Sequence, residues 1–161
     1  MIKQDAPLAI EQAATEIASL LLPISGVKLL LPTTSVAEVV PYVSPVKDRE
    51  GPNWYLGDFL WRELEVPVIS LELFNGEEFS GPQSRSRLAV LNNTGVSEKL
   101  PFIAIVSQDF PRLTRVKEDE ISQREAEPKE GNLMAVSASG ETAIIPNIGA
   151  IERAYADFSN L

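Results

Sequence analysis

The sequence contains no cysteine and no histidine, and these two absences exclude more function classes than any other feature of the composition. Without cysteine there is no disulfide and no thiolate nucleophile, and without histidine there is no imidazole general base. Zinc sites built on either residue type are excluded as well. Any metal would have to be a hard cation held by oxygen ligands, and the spaced Asp, Asn and Gly pattern of a calcium loop is missing. We expect no metal and no cofactor.

Basic clusters and long apolar runs are also missing. The formal net charge of −9 opposes binding to phosphate backbones, so nucleic acid is not an expected partner. No run approaches the roughly 18 apolar residues that a membrane span requires. A secretory signal has a basic region that leads into an apolar core. The first five residues, Met1 to Asp5, do not have this pattern. These features predict a cytoplasmic protein that does not insert into a membrane.

The chain of 161 residues has the length of one domain and can bury a core without disulfides or metal. Two pairs of short apolar runs flank Ser-Gly turns, at Ser25-Gly26 and Ser139-Gly140, as in β-hairpins. Near the C-terminus, an apolar residue recurs every three or four positions, which predicts a short helix. The predicted strands comprise residues 19–24, 27–31, 66–74, 88–91, 102–106, 133–136 and 141–145, and the helix carries Ile148, Ile151, Tyr155 and Phe158. Many short strands with few helices indicate a barrel-type, mainly β fold.

Three other segments have patterns of their own. Residues 1–16 form an N-terminal helix or a frayed tail. Ser35 and Glu38 have the spacing of a helix capping box, and Pro41 limits the predicted helix to about one turn. Residues 117–131 are a charged connector without an apolar period.

The most informative stretch runs from Leu56 to Leu71. In it Gly57, Arg62 and Pro67 follow one another at intervals of five residues, and Pro67 opens a Pro-Val-Ile-x-Leu strand. Together with the upstream block Val36–Val40, this pattern resembles the CheW-like coupling domain of bacterial chemosensory systems. The resemblance implies two interleaved five-stranded SH3-like β-barrel subdomains with short helices, forming a single domain over residues 17–158.

The resemblance also implies a function. CheW-like domains are non-enzymatic adaptors that bind the regulatory domain of a CheA-type histidine kinase and the tip of a methyl-accepting chemoreceptor. The segment Phe110-Pro111-Arg112-Leu113 is similar to the variant found in systems that control type IV pili. A type IV pilus system is therefore the narrower expectation.

The partner-binding residues implied by the resemblance are Val36, Glu38, Gly57, Trp61 and Arg62. The guanidinium of Arg62 presents a fork of donors to a carboxylate or to carbonyl groups of a partner. A second interpretation of Arg62 is an internal ion pair with Glu38 or Glu63. The helix cap by itself also explains Glu38 without any partner. Both interpretations are compatible, since the cap would fix the helix and leave Val36 outward as an apolar contact.

The aromatic residues near this motif also have two interpretations. Trp54, Tyr55, Phe59 and Trp61 could be interface anchors, but large apolar rings also dominate protein cores. Leu60 and Trp61 are neighbours in a predicted strand and point to opposite faces, so one should be more exposed than the other.

Two positions depart from the family pattern. Glu63 stands where the family has glycine, so a positive φ there would be strained, and Ser70 stands where the family has aspartate. Two other functions stay open at this point. A β-barrel that binds a peptide or small ligand requires an apolar pocket, and a hydrolase requires two carboxylates converging in a cleft.

Overall fold

The computed structural model describes residues 16–138 and 140–161, and within them the chain is mainly β, as predicted. The predicted N-terminal helix or tail lies outside these residues except for Glu16, which begins the first strand. The helices are α1, Leu71–Phe74, and α2, Ile148–Ser159. The strands are β1 Glu16–Ile24, β2 Val27–Pro32, β3 Val36–Pro41, β4 Tyr55–Trp61, β5 Leu64–Ile69, β6 Arg87–Asn92, β7 Phe102–Ser107, β8 Arg112–Lys117, β9 Ile121–Arg124, β10 Asn132–Ala138 and β11 Glu141–Pro146.

The strands form two sheets, and each sheet curls so that its two end strands approach each other. The first sheet has the order β8-β1-β2-β11-β10-β9, and the second has the order β3-β6-β7-β5-β4. A 3-10 turn, Glu118–Glu120, joins the end strands of the first sheet, and Val116 and Ile121 on either side of it pack into one cluster. The second sheet has the expected five strands, whereas the first has a sixth.

Each sheet encloses an apolar cluster, and a third cluster lies between the sheets. Leu30 packs inside the first sheet, while its neighbours Leu29 and Leu31 pack into the central cluster together with residues of the second sheet and of α2. Strands that are covered on both faces require apolar residues at successive positions, not at alternate ones. This explains the continuous leucine runs of β1 and β2.

Both predicted hairpins and the C-terminal helix are confirmed. Gly26 and Gly140 have positive φ angles of 76° and 81°, which glycine adopts without a steric penalty. At the start of α2 the side-chain oxygen of Asn147 accepts a hydrogen bond from the backbone N–H of Ala150, at 3.1 Å.

The predicted short helix after Ser35 is wrong. A 3-10 turn, Thr33–Ser35, has no side-chain cap, and Val36–Pro41 is strand β3, paired antiparallel with β6. Val36, Val39 and Val40 are β-branched and lose side-chain freedom in a helix, whereas they fit a pleated strand. The capping-box spacing is therefore coincidental here.

Two other element boundaries differ from the prediction. The strand predicted to reach Phe74 ends at Ile69, because the Ser70 hydroxyl accepts a hydrogen bond from the N–H of Leu73 and begins α1. The predicted connector at 117–131 contains strand β9, and β8 immediately precedes it. Both are end strands with mostly exposed side chains, so their sequences carry no clear apolar alternation.

Candidate interaction surface

The turn between β4 and β5 consists of only two residues, Arg62 and Glu63. Their φ angles are 49° and 66°, the left-handed pair that a type I′ hairpin turn requires. Asparagine and glycine favour such turns, whereas other L-residues lose about 1 kcal/mol each in this conformation. The positive φ that was expected to strain Glu63 is therefore present. The geometry of this turn sets the direction in which the Arg62 side chain leaves the hairpin.

Glu38 of β3 ties this turn to the opposite end of the same sheet. Its Oε1 accepts a hydrogen bond from Trp61 Nε1 at 2.8 Å and lies 3.4 Å from Nη2 of Arg62. The Arg62 guanidinium carbon lies 4.7 Å from the centre of the Trp61 ring. The pairing of Arg62 with Glu38, one of the two interpretations from sequence, is thus present in the fold.

This ion pair is nevertheless exposed, not buried. The side chain of Arg62 is 67% exposed and that of Glu38 is 42% exposed. Exposed pairs of this kind contribute about 0 to 1 kcal/mol, because water screens the charges. The guanidinium therefore remains accessible to a partner, and its loss should leave the fold nearly intact.

Leu60 is the apolar residue of this region that sequence reasoning does not select. It is 72% exposed, while Trp61 beside it is 7% exposed, so the predicted difference between the two is confirmed. Val46, which is 70% exposed, pairs with Asp58 through two backbone hydrogen bonds of 2.8 and 3.0 Å. Directly opposed residues share a face of a sheet, and Leu60 lies two positions after Asp58 on that face. We call Glu38, Val46, Leu60 and Arg62 the hairpin surface.

Gly57 and Val36 occupy different environments from the hairpin surface. Gly57 is buried in β4 with a φ of 122°, and an added Cβ would lie 2.7 Å from the carbonyl carbon and oxygen of Val46. Glycine is thus required where the chain crosses the edge of the sheet. Val36 is half-buried against the central cluster. Of the five predicted residues, the structure brings together Glu38, Trp61 and Arg62, and Trp61 is mostly covered.

The segment that carries Val46 is anchored to the C-terminal helix by an arginine among aromatic rings. The Arg49 guanidinium carbon lies 5.1, 5.6 and 4.9 Å from the ring centres of Tyr55, Tyr155 and Phe158. Burial raises the pKa of Tyr55 to about 12; its hydrogen bond with Arg49 opposes the shift, and its bond to Asp58 adds to it. The hydroxyl of Tyr55 donates to Asp58 Oδ2 at 2.7 Å. These contacts fix the backbone on which Val46 lies.

Among the residues that the structure describes, two carboxylates are buried, and both serve the fold. Glu72, 1% exposed, accepts hydrogen bonds from the backbone N–H and hydroxyl of Ser25 and from the side-chain amide of Gln108, at 3.1 to 3.2 Å. Glu152, also 1% exposed, accepts from the backbone N–H and the hydroxyl of Thr94. Each carboxylate is engaged by its own chain and faces no second carboxylate among these contacts, so the hydrolase hypothesis gains no support.

The described residues also bear on a metal site, a membrane-spanning helix and an apolar ligand pocket. Among residues 16–138 and 140–161, no group of three or more acidic side chains could hold a metal ion. No helix of that part of the chain is long and apolar enough to cross a membrane. A wide surface depression of about 760 Å³ is lined by Gln123, Arg124, Glu125 and Ala126, and lacks the apolar walls of a typical ligand pocket.

Comparisons with known proteins identify the fold and the family of this chain. No curated protein matches the sequence. The crystal structure of the scaffolding protein TtCheW from Thermoanaerobacter tengcongensis matches with a TM-score of 0.70 and 19% sequence identity, covering 81% of this chain and 88% of that one. The family model described as the CheW-like domain matches residues 19–154, which is most of the chain. The chain belongs to the CheW-like family.

Proposed function

We propose that this domain is a non-enzymatic chemosensory adaptor that couples chemoreceptors to the regulatory domain of a CheA-type histidine kinase in the cytoplasm. Its family supports an adaptor role, and the hairpin surface is the observation that carries the proposal for this chain. That surface combines an exposed leucine, an exposed valine and an accessible guanidinium, carried by the β4–β5 hairpin and by the segment that pairs with β4.

The composition of the hairpin surface suits protein recognition. Leu60 and Val46 offer apolar contact area, and the planar guanidinium of Arg62 can bind a carboxylate or backbone carbonyls through two parallel hydrogen bonds. The two-residue turn sets the direction of Arg62, the neighbouring Trp61 is hydrogen-bonded to Glu38, and backbone hydrogen bonds to Asp58 hold Val46 before a partner arrives. A preorganised surface loses little conformational entropy on binding.

The proposed mechanism needs no chemistry on this chain. An adaptor that binds receptor and kinase together can bias the kinase between two arrangements, provided that it binds one arrangement more tightly. A coupling free energy of about 1 to 3 kcal/mol changes the kinase equilibrium by roughly 5 to 150-fold.

The test is a reconstitution of the cognate kinase with receptor-containing membranes, in which kinase autophosphorylation is measured with and without this protein. The variants Leu60→Asp and Arg62→Glu should lose receptor-dependent control of the kinase while keeping the melting temperature of the wild type within a few degrees. Leu133→Asp and Arg124→Glu are matched controls, because both side chains are exposed and lie on the first sheet. If the controls lose as much control as the hairpin variants, or if the wild type has no effect, the proposal is refuted.

The narrower part of the proposal assigns the domain to a system that controls type IV pili. Its support is the sequence segment Phe110–Leu113. A chromosomal deletion should reduce twitching motility, and the wild-type gene should restore it. A deletion that reduces swimming chemotaxis but leaves twitching unchanged would contradict this assignment.

A further inference from the structure

A second cluster of exposed groups lies where the second sheet adjoins the first. The guanidinium carbons of Arg85 and Arg87 lie 4.4 and 4.0 Å from the centre of the Phe110 ring, and that phenylalanine is 43% exposed. Arg85 also pairs with Asp109, at 2.7 Å from Nε to Oδ1. We call Arg85, Arg87 and Phe110 the Phe110 clip.

The clip has unused capacity to bind an anion. Arg85 pairs with the carboxylate of Asp109, whereas Arg87 lies over the Phe110 ring and has no ion pair among the described residues. The Nε of Arg87 is buried and has no hydrogen-bond partner among those residues. An incoming acceptor cannot reach that buried atom, but one that binds the terminal nitrogens of either guanidinium gains a charge-assisted hydrogen bond.

Strand β8, which follows the clip in the chain, also combines basic side chains with an exposed apolar one. Strand β8 carries Arg112, Arg115 and Lys117 together with Leu113, which is 65% exposed. Arg112 pairs with Glu141, and Arg115 lies 3.6 Å from Glu16. These ion pairs are exposed, so exchanging them for a partner carboxylate changes the free energy little.

The backbone of β8 also permits pairing with a partner. In the described residues β8 is an end strand of the first sheet, and it pairs only with β1. An extended peptide can add to such an edge through main-chain hydrogen bonds, while its side chains contact the strand's exposed residues.

We propose that the Phe110 clip and β8 together bind an extended acidic segment of a partner protein. The carboxylates of that segment pair with the clip and with the basic residues of β8, and its apolar side chains contact Phe110 and Leu113. This surface includes none of the hairpin-surface residues, so the inference does not depend on the proposed coupling role.

The charge distribution favours a short acidic peptide over a membrane or a nucleic acid. The protein has a net charge of −9, and three acidic residues, Glu118–Glu120, directly follow β8. A broad polyanionic surface would meet these carboxylates and be repelled. A single extended strand can end before them.

The experiment is a titration of the isotopically labelled protein with a synthetic peptide of about twelve residues in the repeat Glu-Glu-Val-Val, which presents both residue types on each face of a strand, followed by NMR. Twelve residues cover the six of β8 and the clip with some excess, since a strand rises about 3.3 Å per residue. Saturable shifts confined to residues 85–87 and 109–117, weaker at high salt, are the expected result. The matched Lys and Val peptide should produce no saturable shifts there.

Two variants test the residues. Arg85→Gln and Phe110→Ala should each weaken peptide binding by about tenfold, the loss expected for one charge-assisted hydrogen bond or one anchor contact. Arg124→Gln is the control, because this arginine is exposed at the far end of β9 and belongs neither to the clip nor to β8, so affinity should be unchanged. Melting curves establish that each variant is folded.

The proposal is overturned by any of three results. The acidic peptide does not bind the wild type at concentrations up to about 1 mM, where the binding free energy is only about −4 kcal/mol. The control variant loses as much affinity as the clip variants. Inorganic phosphate, or vesicles rich in phosphatidylglycerol, shift the same resonances and the acidic peptide does not.

Discussion

Replacement of Gly57 by alanine tests whether this motif glycine supports the fold. An added Cβ would lie 2.7 Å from two backbone atoms of Val46 and 2.9 Å from the backbone nitrogen of Lys47, and backbone atoms cannot rotate away. Overpacking of this kind costs about 1 to 3 kcal/mol. The φ of 122° adds about 1 kcal/mol or more, since alanine rarely adopts it.

We therefore expect Gly57→Ala to lower the free energy of unfolding by about 3 kcal/mol. In a domain of this size that corresponds to a melting temperature about 10 °C lower. Gly76→Ala is the matched control, because Gly76 also has a positive φ, 76°, but an added Cβ would have nothing within 4 Å. The control should lose only about 1 kcal/mol.

Comparison of the two alanine variants isolates the steric contribution, since both restrict the unfolded chain in the same way. Urea unfolding followed by circular dichroism gives both free energies. If Gly57→Ala is no less stable than Gly76→Ala, the crossing of Val46 over Gly57 is not a rigid constraint, and this reasoning is refuted.

Three further predictions concern stability. Glu72→Ala removes the acceptor of two Ser25 groups and should lower the free energy of unfolding by about 3 kcal/mol; a loss under about 1 kcal/mol in urea unfolding would contradict this. Trp61→Phe keeps an aromatic ring in the core but loses the indole hydrogen bond to Glu38, so calorimetry should show a free energy of unfolding about 1 kcal/mol lower than the smaller ring alone would cause. Because burial raises the pKa of Tyr55 from 10.0 to about 12, the folded state holds this proton more tightly, and stability should fall as the pH rises between these values. Melting temperatures of Tyr55→Phe should fall less over that range, and an equal fall would refute the assignment.

The parts of the fold that could be predicted from sequence are those with strong local signals. The Ser-Gly pairs at Gly26 and Gly140 mark tight turns, and the apolar runs beside them mark buried strands. The helix prediction for Val36–Pro41 fails because the three β-branched valines outweigh a capping-box spacing. Strand β8 carries no clear signal, since Val116 is its only buried side chain and basic residues fill half of its positions.

The candidate site could be predicted in part for similar physical reasons. Alternation along β4 indicates that Leu60 and Trp61 face opposite ways, but it does not say which one is outside. The tie between Arg62 and Glu38 is one of two interpretations from sequence, and only the curl of the second sheet brings their strands together. The Phe110 clip joins residues far apart in the chain, so no local pattern could reveal it.

The central proposal is that this protein couples chemoreceptors to a CheA-type kinase, and we propose the kinase as the partner of the hairpin surface. The most direct measurement is a calorimetric titration of the purified protein with the regulatory domain of the kinase from the same organism, at two salt concentrations. We predict saturable binding in about the micromolar range, weakened at least tenfold by Leu60→Asp and by Arg62→Glu. Absence of binding up to about 1 mM, or binding that neither variant weakens, would contradict the account.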